Sequence, residues 1–250
     1  MCSHFWLQLT FLAECIGISL SSTSNFILFL MILETPRKKF GSYKYLMLSF
    51  AALGIFYSCG NFITKPNVIL TKTSFAVFTE LGNYGLTKGI GTIVVSCSAS
   101  IYGLMLSLLC VQFYYRFIAV TSPMTLSTKF TLKTSPIYII LVFSNTATWG
   151  LVSYYLNGPT PEKDRELAPA FISLYCLAPG EYSYIGAKFF NLTETNERVY
   201  HFQPFIGTAC SAFVLLATFS IAAYLGMRTY RSLKNLGTSQ AHKELQNQLF

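Results

Sequence analysis

Charged residues are sparse enough along this chain to act as boundary marks, and the stretches between them are apolar. Five such stretches reach the roughly 20 residues that a helix needs to cross a bilayer. The first spans 5–33, from Phe5 to Leu33, and holds a single acid, Glu14. The second spans 45–64, between Lys44 and Lys65. The third spans 89–120, and the 27 residues from Gly89 to Tyr115 carry no charge. The fourth, 134–155, ends where "NGPTP" breaks the pattern, and the fifth, 204–228, starts at Pro204, a residue suited to a first helical turn. The runs are continuous rather than alternating, and an open sheet edge has no partner in lipid, so the pattern predicts helices, not strands. The expected fold class is an all-α membrane protein. It forms a single transmembrane domain over 1–250, with a long loop at 156–203 and a tail at 229–250.

Composition agrees. Of 250 residues, 52% are hydrophobic and only 11% charged, where a soluble domain carries about 25%. Too few charges remain to cover a water-facing surface. The net charge of +8 does not point to nucleic acid, because the basic residues form no dense patch and sit in short groups between apolar spans. Seven cysteines, at 2, 15, 59, 97, 110, 176 and 210, show no paired spacing, which predicts neither a metal site nor a disulfide scaffold. No cofactor is expected. The N-terminal run lacks a basic leader region and is too long for a signal peptide, so it is read as a retained helix.

Orientation follows from the basic residues that flank the spans. Arg37, Lys38, Lys39 and Lys44, then Arg116, Lys129 and Lys133, then Arg228, Arg231, Lys234 and Lys243 put eleven on one side, with only Glu34 and Glu244. The other side holds seven basic and seven acidic residues. The first side is the predicted cytoplasmic one and the N-terminus is external. The sequon Asn191-Leu192-Thr193 falls on the predicted outside, in the long acidic loop.

Little here resembles enzyme chemistry. The three histidines, at 4, 201 and 242, are scattered, and no Gly-rich phosphate loop is present. The chain is therefore expected not to be an enzyme. Glu14 lies near the outer end of the first span and is either an interfacial residue or one facing a cavity. Arg116 has two readings: a basic anchor that snorkels to headgroups, or a residue of a signalling switch. The face shared with Arg116 includes Leu109, Met105, Tyr102 and Ser98. Ser98 lies about 27 Å from Arg116 along an ideal helix, near the outer leaflet. Ser98, Tyr102 and Met105 are candidate ligand contacts, with helix packing as the alternative for Ser98 and Tyr102. A pocket there would be mostly apolar and suit a small odorant-like molecule.

"YYRFIAVTSP" (114–123) resembles the cytoplasmic end of the third helix of seven-helix G-protein-coupled receptors, where an Arg precedes an aromatic residue and a Pro lies seven positions on. The resemblance implies that Arg116, Tyr115 and Pro123 serve coupling to a heterotrimeric G protein, with Tyr115 in the place of that family's acidic residue. "KKFGSYKYLMLSFAALGIFYS" (38–58), "KPNVIL" (65–70), "YYRFIAV" (114–120) and "KELQNQLF" (243–250) are more specific. They resemble the nematode serpentine receptor class r, or Str, chemoreceptors over nearly the whole chain. The resemblance implies a rhodopsin-like bundle represented by its first five helices, with Asn25 and Trp149 in packing roles. It also implies a plasma-membrane location, including that of a sensory cilium. In related receptor classes the long outer loop is tied to the third helix, which suggests a Cys97–Cys176 disulfide. Seven helices are the family's number, and the sequence stops at Phe250, where a sixth would begin. The expectation is a receptor truncated after the fifth helix, either chemosensory or a non-signalling fragment. A carrier or channel subunit is the alternative class, and membrane lipid is an expected partner of the basic strip Arg228, Arg231 and Lys234.

Overall fold

The computed structural model describes residues 3–35, 43–82, 85–192 and 197–235. The basic group Arg37 to Lys39, Thr193 of the sequon, and the tail from 236 onward, with Lys243 and "KELQNQLF", lie outside the described residues. In chain order the helices are α1 (Phe5–Glu34), α2 (Tyr43–Thr64), α3 (Lys88–Thr121), the short α4 (Pro123–Lys129), α5 (Ser135–Leu151), α6 (Pro161–Tyr175) and α7 (Phe202–Asn235). A π-helical turn, Val152–Leu156, continues α5. Among the described residues five helices are long and apolar enough to cross a membrane: α1, α2, α3, α5 with its π turn, and α7. Their outer faces are apolar. On α1 only Ile32 is fully buried, while Leu20 is 66% exposed and Met31 62%. A polypeptide cannot leave such surfaces to water, and lipid is the solvent that accepts them. α7 is longer than its apolar run. It carries Arg228, Arg231 and Lys234 in its last turns, where cations oppose the partial negative charge of unpaired carbonyls.

The chain packs as two units. The first comprises Met1–Leu20, Tyr57–Tyr102 and Ala147–Phe213; the second comprises Ser21–Phe56, Gly103–Thr146 and Val214–Phe250.

In the first unit, segments expected only as loops are ordered. Strands β1 (Asn67–Leu70), β2 (Ser74–Glu80) and β3 (Tyr182–Lys188) form an antiparallel sheet in the order β1-β2-β3. Val68 pairs with Val77, and Val77 with Ile185. β4 (Phe190–Leu192) pairs with β5 (Arg198–Tyr200) in a separate ribbon. The amphipathic α6 covers the three-stranded sheet. Its Leu167 and Phe171 are buried with Ile69, Phe78, Tyr182 and Tyr184, and Phe171 stacks on Tyr182 with ring centroids 3.6 Å apart. Gly186 is required in β3: a Cβ there would collide with the Phe75 carbonyl and Ala76 on the facing strand.

α6 begins with Thr160, whose hydroxyl accepts from the Lys163 amide at 3.3 Å, followed by Pro161 and the first-turn acids Glu162 and Asp164. It ends at Cys176 in the left-handed region, φ 57°. The expected Cys97–Cys176 disulfide is not formed. Cys176 is disulfide-bonded, but Cys97 is a free, exposed thiol. Cys97 lies nine residues into α3, about 14 Å along the axis from its start, and its side chain faces away from the protein.

In the second unit the helices meet at small residues. The Asn25 amide lies over Gly54 of α2, and a Cβ on Gly54 would come within 2.9 Å of it. Asn25 Nδ2 also donates to the Ser21 carbonyl at 2.9 Å. Asn145 of α5 donates to Ser107 Oγ of α3 at 2.5 Å, and Cys110 Sγ donates to the Thr218 carbonyl of α7 at 3.3 Å.

Candidate functional site

A cavity of about 410 Å³ lies within the first unit. α2 contributes Tyr57 and Asn61, and α3 contributes Val95, Ser98 and Tyr102. α5 and its π turn contribute Trp149 and Ser153, and β2 and β3 contribute Phe75, Val77 and Ile185. The π turn is followed by Asn157, which also lines the cavity. Its carbonyl accepts from the Gly186 amide at 2.6 Å, so the end of α5 and strand β3 are fixed to each other beside the cavity.

The helical spacing explains the lining. Tyr57 and Asn61 are four residues apart on α2, as are Ser98 and Tyr102 on α3, and Trp149 and Ser153 are four apart along α5 and its continuation, so each pair shares a face. Three aromatic rings form one wall: Tyr102 meets Trp149 edge-on at 6.0 Å, and Tyr57 lies 6.4 Å from Tyr102. No charged side chain lines the cavity among the described residues. Its polar groups are neutral hydroxyls and amides embedded in apolar surface.

Of the residues expected to touch a ligand, Ser98 and Tyr102 line this cavity; Met105 does not, and belongs to the second unit. Trp149, expected in packing, lines it too. Tyr57, Asn61, Ser153 and the strand residues were not anticipated. A usable signal was present in "YSCGN" (57–61) and "WGLVS" (149–153), where polar or aromatic residues recur at four-residue spacing within apolar runs. No such signal marked the strands, whose contribution depends on pairing between segments far apart in sequence, such as Val77 with Ile185.

The connecting elements beside the cavity are held by ionic and polar links. Lys163, 5% exposed, donates through Nζ to the carbonyls of Gly158 at 2.7 Å and Gly186 at 2.8 Å. Burial lowers its pKa to about 8, and Asp164 opposes that shift. Asp164 pairs with Lys88 at 2.6 Å and accepts from the Tyr184 hydroxyl at 2.7 Å. Burial, then that carboxylate, pushes the Tyr184 phenol well above its ordinary value. Glu166 pairs with Lys188 at 2.8 Å and accepts from Thr73 and Ser74. Burial alone would raise Glu166; those hydrogen bonds and the Lys188 charge outweigh it and hold it below the usual carboxylate value.

Arg116 lies in the second unit, near the end of α3. Its side chain is exposed, yet Nε donates to the Tyr43 hydroxyl at 2.7 Å and the guanidinium lies 5.4 Å from the Tyr43 ring centre. Tyr43 is 2% exposed and stacks on Tyr115, itself 6% exposed, with centroids 4.9 Å apart. Tyr115 meets Phe130 edge-on at 4.7 Å. The aromatic neighbour that stands where an acid would be expected thus supports a phenol that holds the Arg. Pro123 opens α4 after Ser122, just beyond the end of α3 at Thr121. Tyr43 was missed because an aromatic residue at a span boundary is ordinary.

Five membrane-length helices, four of them lining a neutral cavity, and an arginine near the end of the third mark the chain as a helical membrane protein. Residues 10–250 match the family described as serpentine type 7TM GPCR chemoreceptor Str, and the chain belongs to that family. It is 27% identical over 253 residues to serpentine receptor class r-10 of Caenorhabditis elegans, and 26% identical to the Caenorhabditis briggsae protein of that name. Each alignment covers 100% of this chain and 73% of the relative. It is also 22% identical to the Caenorhabditis elegans G-protein coupled receptor str-33 over 232 residues, 90% of this chain and 66% of that one.

Proposed function

We propose that this chain detects small, uncharged, odorant-like molecules in the first-unit cavity and passes the signal to a heterotrimeric G protein through Arg116. The carrying observation is the cavity itself: about 410 Å³, with aromatic rings, neutral hydroxyls and amides, and no charged lining among the described residues. An ion or charged metabolite entering it would lose its hydration without a compensating charge. A compact molecule with an apolar body and one or two carbonyl or hydroxyl groups would keep its hydrogen bonds, to Tyr57, Asn61, Ser98 or Tyr102. Met105 has no part in this reading.

The receptor sits in the plasma membrane, including that of a sensory cilium, with its N-terminus and Asn191 outside and Lys129 in the cytosol. The distribution of basic residues supports this orientation. Arg116 is the coupling residue, held at rest by Tyr43, and the basic end of α7 meets anionic headgroups. Ligand binding selects a state in which Arg116 leaves Tyr43.

The test is a ligand screen with a cell-based G-protein readout on a receptor carrying this chain. Neutral volatiles should give saturable responses that Trp149→Ala lowers at least tenfold in potency. Responses restricted to charged metabolites, or unaffected by Trp149→Ala and Tyr102→Ala together, would contradict the reading.

A further inference from the structure

A second, smaller cavity in the first unit has the opposite chemistry. It measures about 170 Å³ and is lined by Thr160, Glu162, Lys163, Lys188, His201 and the first turn of α7, among others. We propose that it is a binding site for a compact monoanion, a small carboxylate or halide, separate from the odorant cavity.

Lys163 is the first reason. Its side chain is buried, the residue being 5% exposed, and its ammonium is held by two carbonyl oxygens. Among the described residues it takes part in no salt bridge; Asp164 beside it is engaged by Lys88. An ammonium has three donors, and these bonds account for two. A buried cation without a counter-ion is costly unless an anion joins it.

His201 is the second and independent reason. Its Nε2 is buried and has no hydrogen-bond partner, although its backbone amide donates to the Phe189 carbonyl at 3.0 Å. Buried polar atoms are rarely left so. In the tautomer that carries a proton on Nε2, the N–H is a donor that a bound anion would satisfy. The third reason is local: Phe202, Gln203 and Pro204 open a helix of 34 residues, and the start of a long helix presents unpaired amides and partial positive charge.

Two acids belong to the same surroundings. Glu166 is occupied by Lys188 at 2.8 Å, so that pair is neutral overall. Glu162 lines the cavity but is exposed, and its carboxylate can turn to water. With Glu162 turned to water, the buried Lys163 and the start of α7 leave the cavity interior positive although the surrounding charges balance. The volume of about 170 Å³ takes chloride, formate or acetate with hydrating water, whereas gluconate, a six-carbon polyol acid, would have to enter stripped of its own hydration.

The test uses the full chain in lipid nanodiscs. Thermal unfolding is followed in sodium chloride, formate, acetate or gluconate at equal ionic strength. The small anions should raise the midpoint saturably relative to gluconate. His201→Ala and Lys163→Met should each weaken the apparent affinity at least tenfold, and Glu162→Gln should strengthen it. Equal midpoints in all four salts would overturn the proposal, as would a saturable effect retained in both His201→Ala and Lys163→Met. Should Lys163→Met fail to fold, ring-¹⁵N labelling of histidine decides. The His201 Nε2 resonance should shift during an acetate titration and not with gluconate, and an unmoved resonance would overturn the site.

Discussion

Tyr43 donates nothing to Arg116; it accepts, and the distinction sets what its removal would do. Tyr43→Phe keeps the ring stacked on Tyr115 and the cation–π contact but leaves Arg116 Nε without its 2.7 Å acceptor. A hydrogen bond to a charged group contributes about 1.5–3 kcal/mol, and the exposure of Arg116 favours the lower end, so the fraction with Arg116 released should rise at least about tenfold. In a signalling receptor carrying this chain, Tyr43→Phe is expected to raise ligand-independent output, and Arg116→Ala to abolish ligand-driven output; the same cell-based G-protein readout measures both. Unchanged basal output in Tyr43→Phe would remove the phenol from the switch. At the Asn25–Gly54 contact, where a Cβ would lie within 2.9 Å of the amide, Gly54→Val should lower the thermal midpoint and Asn25→Ala in the same chain should recover part of the loss. Equal midpoints for Gly54→Val and the parent would refute that packing. These two sites differ in legibility. Asn25 was reachable through the family resemblance, whereas Tyr43 took its meaning only from Arg116, 73 positions away.

At the level of elements, α6 and its sheet depend on aromatic packing and on one buried lysine. Phe171 is fully buried against Phe78, Tyr182 and Tyr184, and Phe171→Ala should cost about 3–5 kcal/mol, seen as early loss of protection for β3 amides in hydrogen exchange. Lys163 gives a pH signature. Its folded pKa is lowered to about 8 from 10.5, so between those values the unfolded chain binds more protons than the folded one. Stability should therefore rise with pH across that window, by up to about 3 kcal/mol at 1.36 kcal/mol per unit. Thermal unfolding of the parent against Lys163→Met should show the rise in the parent alone; a flat parent profile would contradict the buried cation. The hydrophobic runs marked the membrane-length helices to within one or two residues except at the end of α7, which continues seven residues past 228, because lipid demands an unbroken apolar surface and internal backbone hydrogen bonds. α6 was harder to see, since charged residues fill its first turns from Glu162 to Glu166 and Pro169 interrupts the apolar half that follows. Its cap, Thr160 with Pro161 and Glu162, falls in the stretch read only as a break and the start of a loop. The sheet was not legible either, because β2 and β3 pair across a separation of roughly 100 residues.

For the molecule as a whole, membership of the Str family and five membrane-length helices set the frame within which the two cavities and Arg116 gain a role. Sequence pattern reached the five membrane-length helices and two residues of the larger cavity, Ser98 and Tyr102. It missed the disulfide of Cys176, since helix depth and facing decide which thiols can meet. The proposed function needs five crossings that leave Asn191 outside and Lys129 in the cytosol. The most direct measurement is accessibility in intact cells: glycosidase-sensitive mass at Asn191, and labelling of a Lys129→Cys variant by a membrane-impermeant thiol reagent. The account predicts an N-linked glycan lost in Asn191→Gln, and labelling of Lys129→Cys above the parent's level only after permeabilisation. Excess labelling of that variant from outside intact cells would contradict it.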